Sequence, residues 1–283
     1  MWFWLAMIAG LASALDKVLN RVALKNRGNV IAHSFLYISV ISLFSLAFSF
    51  PIKNIQVTNH LIFLIIIQAF FWSTGTLVSF LSQAKTDVSL SMIISRARML
   101  WVVPLGIIFL GETPSIPSVV GILIIFFGLL TLFIKSNIHR HQGVHLMAIG
   151  SVLVAFGAVI NTVLVRQYLT SAQTVFVTMA SQALVFLAFL LYRKNLISRC
   201  YEVWMRAWKI IVLAAAVETF AFIGVNHAYK IGITSFVTAV YLGMTITTVW
   251  IGIFFLNEKE HFWKKIIGSL LVTVGIIVLK FSG

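Results

Sequence analysis

The sequence predicts an all-α integral membrane protein with ten transmembrane helices arranged as two inverted five-helix repeats. Three observations carry this reading. Of 283 residues, 60% are apolar and only 10% charged, against about 25% charged in an ordinary soluble domain. The apolar residues fall in runs of about 20, the length that spans a bilayer as a helix. The second half of the chain also repeats the first. The same composition excludes disorder, because disordered chains are poor in apolar residues.

The runs are 2–20, 30–50, 61–82, 88–110, 115–134, 145–165, 172–192, 209–229, 233–256 and 263–281. Turn and charge signals separate them: Lys25-Asn26-Arg27-Gly28-Asn29, Pro51 to Asn59, Lys135 to Gly143, and Arg193 to Arg206. No connection is long enough for a separate soluble module. Within the first run, the apolar stretch Met1 to Leu15 ends in Ala12-Ser13-Ala14, which imitates a signal-peptide cleavage site. A basic n-region is missing, however, and the internal repeat uses this segment, so it is read as a span.

The chain has 21 Lys and Arg against 7 Asp and Glu, a formal net charge of +14. Nucleic-acid binders are basic too, but they cluster cations on a soluble face, and no such face exists here. Orientation explains the excess better. With the N-terminus outside, 14 of the 21 cations lie in cytoplasmic loops, 4 lie opposite, and Lys17, Arg96 and Arg98 lie within spans. Both termini are therefore expected outside. The bilayer and a small-molecule substrate are the expected partners, in a bacterial or archaeal plasma membrane, with the chain a monomer or homodimer. The lone Cys200 leaves no intramolecular disulfide and no Cys-based metal site. His139, His141 and His145 read as a solvated loop cluster. Neither cofactor nor metal is expected.

A shift of about 145 residues lays Leu15-Asp16-Lys17-Val18-Leu19-Asn20-Arg21 on Ile160-Asn161-Thr162-Val163-Leu164-Val165-Arg166. A shift one residue longer lays Leu105 to Glu112 on Ile251 to Glu258, and one residue longer again lays Gly121 and Gly128 on Gly268 and Gly275. The halves divide as 1–140 and 141–283. Five spans per half invert the second relative to the first, a recurrent device of secondary transporters. The 5 + 5 organisation resembles the drug/metabolite transporter superfamily, EamA-type members in particular. The motif is Leu110-Gly111-Glu112 with Gly121 and Gly128, repeated as Leu256-Asn257-Glu258 with Gly268 and Gly275; Asn257 departs from the usual Gly. The resemblance covers the whole chain and implies small-molecule transport, often metabolite export. Glu112 and Glu258, at span ends, read as structural acids that reach water or cap the next helix. The glycine pairs read as helix-packing faces.

Charges inside the membrane are costly and mark functional candidates. Here they are Asp16, Lys17, Arg96, Arg98 and Glu218, and their repeat mates are uncharged. Arg98 lies near the midplane, about 15 Å along its span. Ser91, Ser95, Arg98 and Trp101 share its face as a cavity wall. Arg96 points about 160° away, toward a carboxylate or outward. Glu218 reads equally as a proton carrier or as the counter-ion of Arg96 or Arg98. Asp16 shares a face with Ser13 and Asn20 and reads as a gate contact or coupling group, while Lys17 and Arg21 are expected to reach headgroups. Polar stripes run through Thr234, Thr238, Tyr241, Thr245, Thr248 and Gly252, and through Gln68, Trp72, Thr76, Ser79 and Gln83; Asn161 and Gln182 extend them. Helix–helix hydrogen bonding is one explanation. Tyr241 and Trp72 are expected to line the cavity, with Thr245 and Asn161 beside them.

A secondary transporter of a small polar metabolite follows. Arg98 suggests a carboxylate-bearing substrate such as an amino acid, exported by alternating access, with Glu218 available to couple protons. The chain lacks a P-loop, H-E-x-x-H and G-x-S-x-G, so neither ATP-driven pumping by this chain nor an intramembrane enzyme is expected. A lipid flippase or lipid-handling accessory protein is the alternative.

Overall fold

The computed structural model describes residues 1–24, 30–50, 55–83, 95–133, 143–192, 196–247, 250 and 262–282. Ser91, His139, His141, Thr248, Gly252, Asn257 and Glu258 lie outside the described residues, as do the side chains of Arg21, Ser79 and Gln83. The described residues form ten helices and no strand: α1 (Trp2–Leu24), α2 (Val30–Ser49), α3 (Asn59–Gln83), α4 (Arg98–Leu110), α5 (Ile116–Phe133), α6 (Val144–Gln167), α7 (Ser171–Tyr192), α8 (Leu196–Ile231), α9 (Thr234–Gly243) and α10 (Phe262–Ser282). Seven are long and apolar enough to cross a membrane; α4, α5 and α9 contain shorter apolar helices. Helix is the form such runs must take, since lipid offers no partner to an open backbone N–H or C=O.

The burial pattern is that of a lipid-solvated bundle. On α1 the exposed residues Trp4, Ile8, Leu11 and Leu15 recur every three or four positions, as do Ile267, Leu270, Val274 and Ile277 on α10. Asp16, Gln68, Asn161, Glu218 and Asn226 are buried. In water this inversion would be ruinous; in lipid it puts apolar side chains against apolar solvent and polar ones against each other.

The main packings are α5 on α10, α1 on α8, α3 on α6, α2 on α7 and α2 on α8, with α4 on α6, α7 on α8, α1 on α9 and α3 on α7 beneath them. Exchanging each helix of the first five for its counterpart five later maps these packings onto one another except α7 on α8, whose mate would be α2 on α3. The glycine faces meet as expected at the α5–α10 contact. A Cβ at Gly121 would lie 3.2 Å from Gly275 O, one at Gly275 2.7 Å from Gly121 O, and one at Gly128 2.9 Å from Gly268 O. Backbone touches backbone there, so only glycine fits.

Two segments differ from the sequence expectation. Residues 196–208, read as connection, are helical: α8 runs 36 residues, about 54 Å at 1.5 Å per residue against a hydrocarbon layer of about 30 Å. The extension is packed, with Val203 and Ile211 against Ala32 of α2. The ninth run is broken. Helix α9 stops at Gly243, and a turn at Met244–Thr245 follows, with short i→i+3 bonds from Thr245 N to Leu242 O (3.2 Å) and Thr247 N to Met244 O (3.0 Å). At the matching place in the first half, a turn at Ala97 precedes α4, and Leu100 N bonds Ala97 O at 2.9 Å. All ten residues of α9 are buried.

Candidate functional site

Around α9 the buried polar residues sort into three groups. The first joins α1, α2, α8 and α9. Tyr241 donates to Ser13 Oγ (2.8 Å), and Ser13 donates to Glu218 Oε1 (3.1 Å). The Lys17 ammonium lies 3.0 Å from Asp16 Oδ2 and 3.4 Å from Glu218 Oε1. Asp16 Oδ1 accepts from Asn20 Nδ2 (2.7 Å) and from Tyr37 OH (2.8 Å). His33 closes the chain at Asn20 Oδ1 (2.7 Å) and stacks on Tyr37. Asp16 and Glu218 are 0% and 2% exposed. Glu218 Oε2 has no hydrogen-bond partner among the described residues.

Lys17 thus corrects the sequence expectation. It sits about 160° around α1 from Leu15 and about 180° from Ile8, opposite the lipid-facing stripe, and pairs with two carboxylates instead of headgroups. It, rather than Arg96 or Arg98, is the ion-pair partner of Glu218.

Arg96 and Arg98 flank the turn at Ala97, so the break in the fourth span sets both guanidinium groups against the bundle interior. Arg96 is within electrostatic reach of Arg98, Tyr241 and Glu218, and Arg98 within reach of Tyr241 and Tyr229. Each has a buried Nε with no hydrogen-bond partner among the described residues. Tyr241 therefore stands between an acidic flank on α1 and α8 and a basic flank at the start of α4. Ser95 is half-buried on the same turn. Thr245 occupies the facing turn after α9, buried, its hydroxyl donating to Leu242 O. Trp101, 44% exposed, shares its stripe with exposed Pro104 and Ile108.

The second group surrounds Asn161. Its Oδ1 accepts from Thr178 (2.9 Å) and Gln68 (3.5 Å), and its Nδ2 donates to Asn226 Oδ1 (3.1 Å). Four helices, α3, α6, α7 and α8, meet there with every side chain buried. Trp72 lies nearby, wedged against Gly157, where a Cβ would come within 2.8 Å of its ring. Asn161 is the repeat mate of Asp16, and each is the hub of its own network.

The third group is a clasp. Gly111 takes φ +65° to end α4, and Glu112 N returns to Gly106 O at 3.1 Å. That reversal, easy only for glycine, turns the Glu112 carboxylate inward. Its Oε1 accepts from Thr234 N (2.8 Å), Thr234 Oγ1 (2.6 Å) and Arg166 Nη2 (3.0 Å). Arg166 also donates to Tyr229 O and Gly232 O (2.9 and 2.6 Å). Glu112 thus caps α9, in the other half, and not the helix that follows it in sequence. Thr238 bonds Tyr229 OH at 3.0 Å, so Thr234 and Thr238 serve helix–helix contact.

Sequence reasoning passed over His33, Tyr37 and Asn226. The first two were discoverable as polar aromatics one helical turn apart, and Asn226 lies two turns beyond Glu218. Among the described residues no three His, Cys, Asp or Glu converge as metal ligands.

One solved crystal structure superimposes with a TM-score of 0.78 over 98% of this chain and 99% of its own, at 12% identity, so the two share a fold. No curated protein matches the chain. The model of the EamA-like transporter family matches residues 1–134 and again 141–281. With both halves matched and apolar helices throughout, the chain belongs to the EamA-like transporter family and is an integral multi-pass membrane transporter.

Proposed function

We propose that this transporter exports a small, polar, carboxylate-bearing metabolite, an amino acid being the simplest example, by alternating access. Ten spans in two inverted repeats, 1–140 and 141–283, with both termini outside, would rock about the region of α9. The observation that carries this reading is the pair of opposed flanks about Tyr241. Arg96 and Arg98 offer cationic groups beside one helix break, and Glu218 and Asp16 offer carboxylates across from it. Breaks at corresponding places in two halves are what a midplane substrate site uses, because unwound backbone is tolerated where it lines a cavity. The near-exchange symmetry of the packing supports a two-fold repeat, five spans per half would invert it, and the cation distribution supports the orientation. In this reading Arg98 holds the substrate carboxylate, with Ser95, Trp101, Tyr241 and Thr245 around it. Trp72 and Asn161 support the wall through packing and hydrogen bonds, and Glu218, Asp16 and Arg96 couple or gate movement, with protons as the candidate coupling ion.

Two steps test it. A panel of amino acids and other carboxylates is scored by thermal stabilisation of the purified protein, and stabilising compounds are assayed for counterflow in proteoliposomes. Arg98→Ala, checked for an unchanged elution profile, is expected to abolish counterflow. Unchanged counterflow in that variant removes Arg98 from the site. Stabilisation by anionic lipid alone, with no counterflow of any solute, favours a lipid-handling protein instead.

A further inference from the structure

The Lys17 pair is oddly built for a structural ion pair. Two carboxylates on separate helices, both buried, share one ammonium, which leaves the trio with a net negative charge when both are ionised. Burying charge is costly unless every lone pair is satisfied, yet Glu218 spends one oxygen on both its partners and leaves Oε2 without a hydrogen-bond partner among the described residues. The Lys17 side chain is 41% exposed although both of its partners are buried, and it points away from the lipid stripe of α1. The accessible part of the side chain lies on the face of α1 turned away from that stripe. Asp16 and Lys17 are adjacent in sequence, about 100° apart on the helix, so the lysine reaches sideways to make the contact. A flexible four-carbon stem can leave that position by rotamer change alone.

We propose that Asp16 and Glu218 form a primary-ammonium site on the substrate path, which Lys17 fills with its own side chain in this conformation and yields to an ammonium from outside the chain. This deepens the proposed transport function. The Asp16 contact at 3.0 Å has hydrogen-bond length, and the Glu218 contact at 3.4 Å is a looser ion pair. An ammonium has three donors. Two are directed at Asp16 Oδ2 and Glu218 Oε1. Among the described residues the other polar and charged groups around the site are Ser13, Asn20, His33, Tyr37, Tyr241 and Arg96. The incoming ammonium is either part of the transported molecule, whose carboxylate then meets the basic flank, or a free cation that exchanges against it.

The test is a thermal titration of the full chain in detergent, with propylammonium as the probe because it is the fragment that Lys17→Ala removes. Lys17→Ala is expected to melt several degrees below the wild type. Propylammonium should restore it saturably, while tetramethylammonium, which has no N–H, does not. The wild type should need at least about tenfold more propylammonium, because its own lysine occupies the site most of the time. Lys17→Ala/Glu218→Gln should lose the response. Free amino acids that stabilise Lys17→Ala where their N-acetyl forms do not identify the ammonium as the substrate's; a response to propylammonium alone identifies a free cation. No saturable response in Lys17→Ala, or the same response with tetramethylammonium or without Glu218, overturns the proposal. If Lys17→Ala does not fold, purification in propylammonium is expected to recover it. Failure to do so, while Lys17→Met folds, also overturns it. None of these readouts needs transport, so the ammonium site and the Arg98 counterflow can fail separately.

Discussion

Glu112→Ala provides the sharpest energetic test of the clasp. The substitution removes the one oxygen that accepts from Thr234 N, Thr234 Oγ1 and Arg166 Nη2. Glu112 is 8% exposed, so water does not freely replace it. A buried charge-assisted hydrogen bond contributes about 1.5–3 kcal/mol, and a lost helix cap costs about 1 kcal/mol. Arg166 keeps its bonds to Tyr229 O and Gly232 O, which reduces the cost of leaving it unpaired. The total comes to about 3–4 kcal/mol. Glu112→Gln keeps an acceptor for Thr234 and loses only the charge, at about 1–2 kcal/mol. At about 2–4 °C per kcal/mol for a large chain, the melting temperature in detergent should fall by roughly 6–15 °C for alanine and about half as much or less for glutamine. A double-mutant cycle with Arg166→Met should show coupling of about 1–2 kcal/mol, well beyond the 0.3–0.5 kcal/mol or so of independent sites. Equal melting of both Glu112 variants with the wild type, or an additive cycle, would refute the clasp.

Two further changes probe the same packing logic. Gly106→Ala would put a Cβ 2.7 Å from Glu112 Oε2, so it should lower the melting temperature by displacing the carboxylate. Gly111→Ala has open space but a φ of +65°, so it should cost only about 1 kcal/mol; a Gly111→Ala loss exceeding that of Gly106→Ala contradicts the argument. Asn161→Leu strands Thr178 and Asn226 in the buried node and should cost about 1–3 kcal/mol in the same melting assay, whereas a neutral result would mean that the node carries no stability.

The membrane character and most helices were legible because lipid imposes a one-dimensional rule: a run long enough to cross must be apolar and must be helical. The glycine faces of α5 and α10 were legible for a similar reason, since only close backbone approach explains glycine at matched spacings in both halves. The extension of α8 was hidden because 196–208 is amphipathic and charged, and its helicity depends on packing against α2. The break after Gly243 was hidden too, because Thr234, Thr238, Tyr241, Thr245 and Thr248 keep an unbroken helical spacing.

Partner choice was the least legible property. The sequence by itself determined that Asp16, Lys17, Arg96, Arg98 and Glu218 are in the membrane and need an explanation, because a charge in lipid is costly wherever it sits. It could not determine which charge answers which. Lys17 precedes Glu218 by two hundred and one residues and meets it within 3.4 Å, while Glu112 caps a helix 122 residues away. Such pairings are set by where the helices cross and how each is rotated, and both are properties of the packed bundle.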